Sequence, residues 1–315
     1  MTRARTPRIK SLASLGPGVV EMLTGYGLVT LGAGLWGVLG LFYHVIIGHY
    51  GLTPLEAVFW RALLASLCLA GWLAWRDPDI LRIERRDIGF FIVFGLIGVS
   101  ATFAIYAYAI RLVGMGVAAV LQYTAPAWVA LFSVLVWKER LGGARVAALA
   151  LALTGTTLVG RAYNLDAARL NVMGLAAALA SGITYAAYVL FIKSATRRGY
   201  AARTILVYAL ATGTLFLLPL QSRRSVEMLL ATPGLILWLL ALGVVTMAAG
   251  LAFNAGVKRV PASNASIVAT IEPVTAMLLG WAVLGESLEG LQLLGACCVL
   301  GAVLMLQTRR RRSAA

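Results

Sequence analysis

Hydrophobic residues in this chain form long runs, which short polar or charged connections interrupt. A helix that crosses the roughly 30 Å hydrocarbon layer needs about 20 such residues, and spanning helices satisfy their own backbone hydrogen bonds. The pattern predicts an all-α integral membrane protein with ten transmembrane helices. We place them at 22–47, 53–75, 88–110, 113–137, 143–160, 173–194, 203–220, 233–256, 261–284 and 289–307.

Composition supports the membrane assignment and narrows the function. Of the 315 residues, 61% are hydrophobic and 12% are charged, and the mean hydropathy is +0.88. The net charge of +15 does not indicate a nucleic-acid partner, because the basic residues occupy short clusters between apolar runs. We expect the cysteines to be packing residues; they are Cys68, Cys297 and Cys298.

The distribution of Lys and Arg predicts the orientation, since short cytoplasmic connections retain basic residues. Most of the 27 Lys and Arg residues lie in the two tails and in alternate connections, which places both termini in the cytoplasm. Arg309–Arg312 would anchor the last helix to anionic lipid. The basic residues predicted on the opposite side are Arg111, Arg161, Arg169, Arg223 and Arg224.

An internal repeat divides the chain into halves at 1–162 and 163–315. Pro126, followed by Lys138–Leu141, recurs with the same spacing as Pro273, followed by Gly285–Leu288. Each half contains five predicted spans, an odd number, so the second half must enter the membrane from the opposite side. Inverted repeats are typical of transporters whose substrate site lies near the membrane midplane.

The motif residues resemble those of the drug/metabolite transporter superfamily, in its ten-helix EamA-type branch. The resemblance covers nearly the whole chain, and within the superfamily the YddG-type exporters of aromatic amino acids are the most similar. It implies a multi-pass exporter of the bacterial inner (cytoplasmic) membrane. It rests on Trp36–Gly37, Arg61, Pro126 with Lys138–Leu141, and Glu272–Pro273 with Gly285–Leu288.

Two prolines indicate hinges, because proline removes a helical hydrogen bond and bends the helix. Pro126 and Pro273 fall at the centres of predicted helices 4 and 9. The carbonyls they free, those of Gln122 and Ala269, would then face a neighbour, water or a substrate ammonium group. The alternative is a static kink that neighbouring helices stabilise.

Polar and aromatic residues on several helices are the candidate substrate-binding residues. Aromatic rings from different helices could sandwich a flat substrate, although tyrosine and tryptophan also form interfacial belts. The candidates are Trp36, Tyr43, His44, Phe103, Tyr106, Gln122, Tyr123, Tyr185, Tyr188, Asn254, Ser266 and Thr270.

Arg61 and Glu272 are charges within predicted spans, where each costs a few kcal/mol unless it faces a partner or water. Glu272 could carry protons or bind an ammonium group, or it could make a structural hydrogen bond or ion pair at the kink. Arg61 could contact substrate, snorkel outward or cap a neighbouring helix. An Arg61–Glu272 pair remains open.

Together these features predict a secondary transporter of small amphiphilic metabolites, with aromatic or other neutral amino acids favoured and other metabolites or cationic drugs as the alternative. No motif for a cofactor or an enzyme is present, and His44 and His49 lack the spacing and the carboxylate of a metal site. A channel or a membrane-embedded enzyme is the alternative class. Membrane lipid and a small-molecule substrate are the expected partners, and both monomer and homodimer remain open.

Overall fold

The predicted apolar runs are helical in the computed structural model of the chain, which describes residues 17–139, 141–164 and 171–313. Those ranges contain no β-strand. The basic N-terminal segment Met1–Lys10, Arg140 and Arg169 lie outside the described residues, as do the side chains of Arg309–Arg312. The helices are α1 (Pro17–Gly48), α2 (Pro54–Arg76), α3 (Ile88–Val93), α4 (Thr102–Gln122), α5 (Ala125–Trp137), α6 (Gly143–Val159), α7 (Val172–Arg197), α8 (Ala202–Leu217), α9 (Arg223–Ala231), α10 (Pro233–Arg259), α11 (Ala262–Ala269), α12 (Ile271–Leu284) and α13 (Gly290–Ser313).

Helix length and composition support a multi-pass membrane protein. Within the described ranges, nine helical stretches are long and apolar enough to cross a membrane. Helix α6 is also apolar but has only 17 residues. The short helix α9 was not predicted, because its nine residues mix charged and apolar side chains in a connection.

Local chemistry explains where α2 begins. Thr53 caps the helix: its Oγ1 accepts from the Glu56 amide at 3.3 Å, and Glu56 Oε2 accepts from the Thr53 amide at 2.8 Å. Pro54 occupies the first turn, where its missing N–H costs no helical hydrogen bond. Ser222, just before α9, also donates to Glu56, so this cap ties two distant segments together.

The third predicted span is irregular. It comprises α3, a wide π-helical segment over Phe94–Ala101, and the first part of α4. Gly114, at φ 79°, then reverses the chain in a conformation that favours glycine. The predicted break between 110 and 113 therefore corresponds to Gly114, whose non-helical backbone divides α4 into two helices.

The predicted helices 4 and 9 are each broken into two pieces. Tyr123 and Thr124 separate α4 from α5, and Thr270 separates α11 from α12. Pro126 and Pro273 therefore lie in the first turns of α5 and α12, where proline is tolerated, and not at the centres of continuous helices as predicted.

Helix packing repeats between the two halves of the chain. Helix α1 packs along α10, and α7 packs along α4; α1 also contacts α12, as α7 contacts α5. Helices α6 and α13 pair with each other through Gly155 and Gly295. A Cβ on either glycine would lie 2.7 Å from the other's carbonyl oxygen, so the two backbones are in direct contact.

Candidate binding cavity

A cavity of about 300 Å³ lies between helices of both halves. Its lining runs along α1 from Trp36 to Ile47 and reaches Pro54 at the start of α2 and Ile110 near the end of the third span. The cavity therefore extends from the middle of the bundle towards the end where α1 stops and α2 begins, which we call the open end.

Aromatic side chains form much of the wall. Trp36 packs against Phe253 with ring centroids 4.7 Å apart and against Tyr188 at 6.3 Å. Tyr185 stacks near Tyr188, also at 6.3 Å. These contacts fix the rings, so the cavity offers pre-formed apolar faces to a ligand. The predicted residues that line it are Trp36, Tyr43, Phe103, Tyr106, Gln122, Tyr123, Tyr185 and Tyr188, with Arg61 and Glu272.

Arg61 enters the cavity from α2 and is 9% exposed. Its Nη1 donates to the Tyr43 hydroxyl at 2.8 Å, and its guanidinium lies 4.7 Å from the centroid of the Phe103 ring. Its Nε is buried and has no hydrogen-bond partner in the described part of the chain. The side chain is therefore held by two cavity residues and does not snorkel to the end of its helix.

Glu272 enters from the first turn of α12. Tyr123 and Arg61 both interact electrostatically with its carboxyl group. Gly37 allows α1 to lie against the start of α12, since a Cβ on Gly37 would lie 2.7 Å from the Glu272 carbonyl oxygen. Among ion pairs of 4.0 Å or less between described residues, none joins Glu272 to Arg61.

Four predicted binding residues do not line this cavity. His44 is exposed on α1, and Asn254 is buried with its Nδ2 3.4 Å from the Ala202 carbonyl oxygen. Ser266 and Thr270 line a separate small void of about 10 Å³ beside Pro126, and their hydroxyls donate to carbonyls of their own helix. Pro273 lines neither space.

The cavity also includes lining residues that the sequence did not indicate. Thr246 and Gly250, one turn apart on α10, line it, together with Leu206 and Leu210 on α8. Small and aliphatic residues are common in any membrane helix, so they carried no signal.

Cys297 is exposed, and so is not a packing residue as predicted, whereas Cys68 and Cys298 are half-buried.

The opposite end of the bundle, where α1 begins, is packed shut, and we call it the closed end. Lys193 Nζ donates to the carbonyl oxygens of Val257 and Val260 at 2.9 and 2.7 Å. Asn264 Nδ2 donates to the Tyr26 hydroxyl at 2.5 Å. The Lys193 bonds join α7 to the end of α10, and the Asn264 bond joins α11 of the second half to α1 of the first half. These contacts lie between the cavity and the closed end.

A second group of polar contacts at the closed end links the start of α3 to the connection after α7. Arg198 forms an ion pair with Asp87, and the Tyr200 hydroxyl donates to Asp87 Oδ2 at 2.7 Å. Burial and this hydrogen bond raise the pKa of Tyr200, so the phenol stays protonated and remains a donor at neutral pH. Ser263 Oγ likewise donates to Glu139 Oε2 at 2.9 Å.

Apolar helices long enough to span a bilayer, arranged around a cavity that carries charges at membrane depth, define a multi-pass membrane protein of the transporter class. The chain belongs to the EamA-like transporter family, whose family model matches residues 23–161 and again 172–308.

Individual relatives agree with this family. An uncharacterized transporter of Archaeoglobus fulgidus is 32% identical over 285 residues, which cover 90% of this chain and 96% of that protein. The threonine/homoserine exporter RhtA of Salmonella typhimurium is 26% identical over 267 residues, covering 82% and 81%. A solved crystal structure has the same fold, with a TM-score of 0.74 at 20% identity, covering 93% of this chain and 99% of that one.

Proposed function

We propose that this protein is a secondary transporter that exports small amphiphilic metabolites, with aromatic or other neutral amino acids as its substrates. The observation that carries the proposal is the cavity itself. It is walled mainly by aromatic and aliphatic side chains, and among the described residues that line it one is cationic and one is acidic. Such a lining suits a compact molecule with both apolar and charged parts.

The topology that we propose has ten spans, with α6 as the fifth, and two inverted repeats at 1–162 and 163–315. The repeated packing of α1 with α10 and of α7 with α4 supports the repeat. The basic residues of the alternate connections support cytoplasmic termini in a bacterial inner membrane.

The same topology assigns a conformational state. The closed end carries the connections after α2, α5, α7 and α10, where Lys and Arg are concentrated, so we place it on the cytoplasmic side. The cavity then faces the outside, as expected for an exporter about to release its substrate. Transport requires a second state, in which the closed end opens and the open end closes.

Relatives support the substrate class. RhtA, a 26% identical relative, is an exporter of threonine and homoserine, which are neutral amino acids. The aromatic wall at Trp36, Tyr185 and Tyr188 favours larger side chains here, as in the YddG-type exporters of aromatic amino acids. Glu272 beside these rings favours an organic cation as the second candidate.

Partners beyond the substrate are expected to be lipids. Large apolar side chains cover the outer face, among them Leu135, Leu293 and Leu304, which are all exposed. Helices α6 and α13 lie at the edge of the bundle, and this arrangement suits a monomer or a homodimer alike.

The test is flux in proteoliposomes containing the purified protein. Radiolabelled phenylalanine, tryptophan, threonine and an alkylammonium drug are supplied with and without a pH gradient. Saturable phenylalanine or tryptophan flux, absent from empty liposomes, is the expected result, and its response to the gradient distinguishes proton exchange from facilitated diffusion. Flux of the drug alone would support the second candidate, and no flux of any compound would contradict the proposal.

A further inference from the structure

Two opposite charges line the cavity without pairing directly. Arg61 is contributed by α2 of the first half and Glu272 by α12 of the second half. An uncompensated charge at this depth costs several kcal/mol, so each requires a partner or water. Their mutual attraction lowers this cost only partly, since described residues show no Arg61–Glu272 contact of 4.0 Å or less.

The hydrogen bonds around Arg61 are suited to a carboxylate. Tyr43 accepts one hydrogen bond from Nη1 at 2.8 Å, which leaves the Tyr43 proton free to be donated to another acceptor. Arg61 is 9% exposed and its guanidinium is held over Phe103, so its orientation is fixed before a ligand arrives. A fixed guanidinium with remaining N–H donors can bind a carboxylate through two parallel bonds.

The surroundings of Glu272 are suited to an ammonium group. The Glu272 carboxyl group lines the cavity beside Tyr123, and its two oxygens can accept hydrogen bonds from a ligand. Tyr106 and Tyr185 line the same cavity and interact electrostatically with Glu272, so their rings add aromatic surface that can attract a cation.

Charge balance distinguishes between ligand classes. The two side chains sum to zero, so a zwitterion compensates both, whereas an amine leaves Arg61 without a counter-charge and an acid leaves Glu272 without one. Leaving one partner of a buried charge pair unmatched is strongly unfavourable. A cavity of this kind discriminates by penalising ligands that lack either charge.

We propose that Arg61 and Glu272 form a two-point site for an α-amino acid zwitterion, with the carboxylate on Arg61 and Tyr43 and the ammonium group on Glu272. The apolar side chain of the substrate then lies against Trp36 and Tyr188. This inference rests on the proposed function and adds the substrate's orientation and the residues that recognise its backbone. Because the charges come from opposite halves, the bound zwitterion also bridges the halves.

The experiment compares phenylalanine with 2-phenylethylamine, which lacks the carboxylate, and 3-phenylpropionate, which lacks the ammonium group. Binding to the purified full-length protein is measured as ligand-induced thermal stabilisation, which requires no transport. The variants are Arg61→Gln and Glu272→Gln. Arg111→Gln and Glu227→Gln are matched controls, since both residues are exposed outside the cavity.

The wild-type protein is expected to bind phenylalanine at least about tenfold more tightly than either analogue, a difference of about 1.4 kcal/mol, because each analogue lacks one of the two charged contacts. Arg61→Gln should bind the amine at least as tightly as phenylalanine, and Glu272→Gln should bind the acid at least as tightly as phenylalanine. The control variants should keep the wild-type preference. Arg61→Lys should recover part of it, which a purely structural role would not predict.

Two results would overturn the inference while leaving the transport proposal intact. One is saturable phenylalanine flux by a wild-type protein that binds the amine and the acid as tightly as it binds phenylalanine. The other is an equal loss of all three ligands in both glutamine variants, with normal melting temperatures in the absence of ligand. A wild-type protein that neither binds nor transports any of the amphiphiles would contradict the proposed function itself.

Discussion

Trp36 determines the shape of the inner end of the cavity. Its ring lies against Phe253 and Tyr188, so it is held by helices α10 and α7 while it lines the cavity from α1. Gly37, the next residue, lets α1 approach the backbone of α12. This pair therefore combines an aromatic binding face with a close helix contact.

Replacing Trp36 with Ala should weaken binding of an aromatic substrate. The loss of ring contacts is worth roughly 1–2 kcal/mol, so the KM for phenylalanine should rise about tenfold with membrane insertion preserved. Trp75→Ala is the matched control, because Trp75 lies on α2 and is 80% exposed. Kinetics in proteoliposomes measure both, and an equal KM in the two variants would contradict the role of Trp36.

The sequence predicted individual cavity residues where chemistry at membrane depth is unusual. Arg61 and Glu272 were identified because charges are costly in a span, and Trp36 because it belongs to a motif. Asn254 was predicted on the same polarity argument, but it packs towards Ala202 instead. Which way a residue faces depends on helix rotation, and a span that is apolar on all sides does not reveal its rotation.

At the scale of elements, the wide π-helical segment Phe94–Ala101 allows α8 to pack closely. A Cβ on Gly95 would clash with Thr212 and would lie 2.5 Å from the Gly213 amide nitrogen. Thr212 Oγ1 in turn donates to the Phe91 carbonyl oxygen at 3.0 Å, which fixes the two helices against each other.

Gly95→Ala should therefore destabilise the fold. Overpacking of this kind costs roughly 1–3 kcal/mol, which corresponds to a melting temperature lower by about 3–10 °C in detergent. Gly71→Ala provides the control, because no atom lies within 4 Å of a Cβ at Gly71. Equal melting temperatures would show that α8 is free to move away from this segment.

The broken helices were only partly predictable. The prolines indicated the positions, but the breaks also depend on threonine: Thr124 Oγ1 donates to the Leu121 carbonyl oxygen at 2.6 Å, and Thr270 Oγ1 to that of Ile267 at 2.7 Å. Threonine is common in membrane helices and makes such bonds without breaking them, so it gave no signal alone.

Pro126→Ala and Pro273→Ala should each lower the maximal flux about fivefold. Each substitution makes a helical hydrogen bond possible again, worth about 1 kcal/mol, and so favours a straighter helix over the bent one. The protein should still insert and bind phenylalanine. Flux in proteoliposomes is the measurement; unchanged flux in both variants would remove the hinge role and leave a static kink.

At the scale of the whole molecule, Lys193 closes the cytoplasmic end of the proposed outward-facing state. Its two bonds to carbonyl oxygens of α10 should break when that end opens. Lys193→Met removes both donors while keeping an unbranched side chain. The equilibrium should shift towards the inward-facing state by about tenfold or more, since each bond to a charged group is worth roughly 1.5–3 kcal/mol.

Lys258→Met is the matched control, because Lys258 is exposed at the same end. Labelling of a cavity cysteine in inside-out vesicles measures the shift. If the Lys193 and Lys258 variants are labelled equally fast, the Lys193 contacts do not control opening.

Long hydrophobic runs were sufficient to predict an all-helical membrane protein, and the repeated motif predicts two related halves. Two irregular features were not predictable: the π-helical segment, which packs against α7 and α8, and helix α9, which mixes charged and apolar residues. Lys193 was likewise missed, because its partners are backbone carbonyls of α10, and carbonyls carry no sequence signal.

The central claim is that substrate moves through the cavity between the two halves. Its most direct test is substrate protection of Ala276→Cys, a residue that lines the cavity on α12, in a protein whose Cys68, Cys297 and Cys298 have been replaced. Glu227→Cys on the exposed face of α9 is the control.

A membrane-impermeant thiol reagent is applied from outside, with and without the best transported substrate. We predict that substrate slows labelling at 276 severalfold and leaves labelling at 227 unchanged. Equal labelling at 276 with and without a transported substrate would contradict the claim.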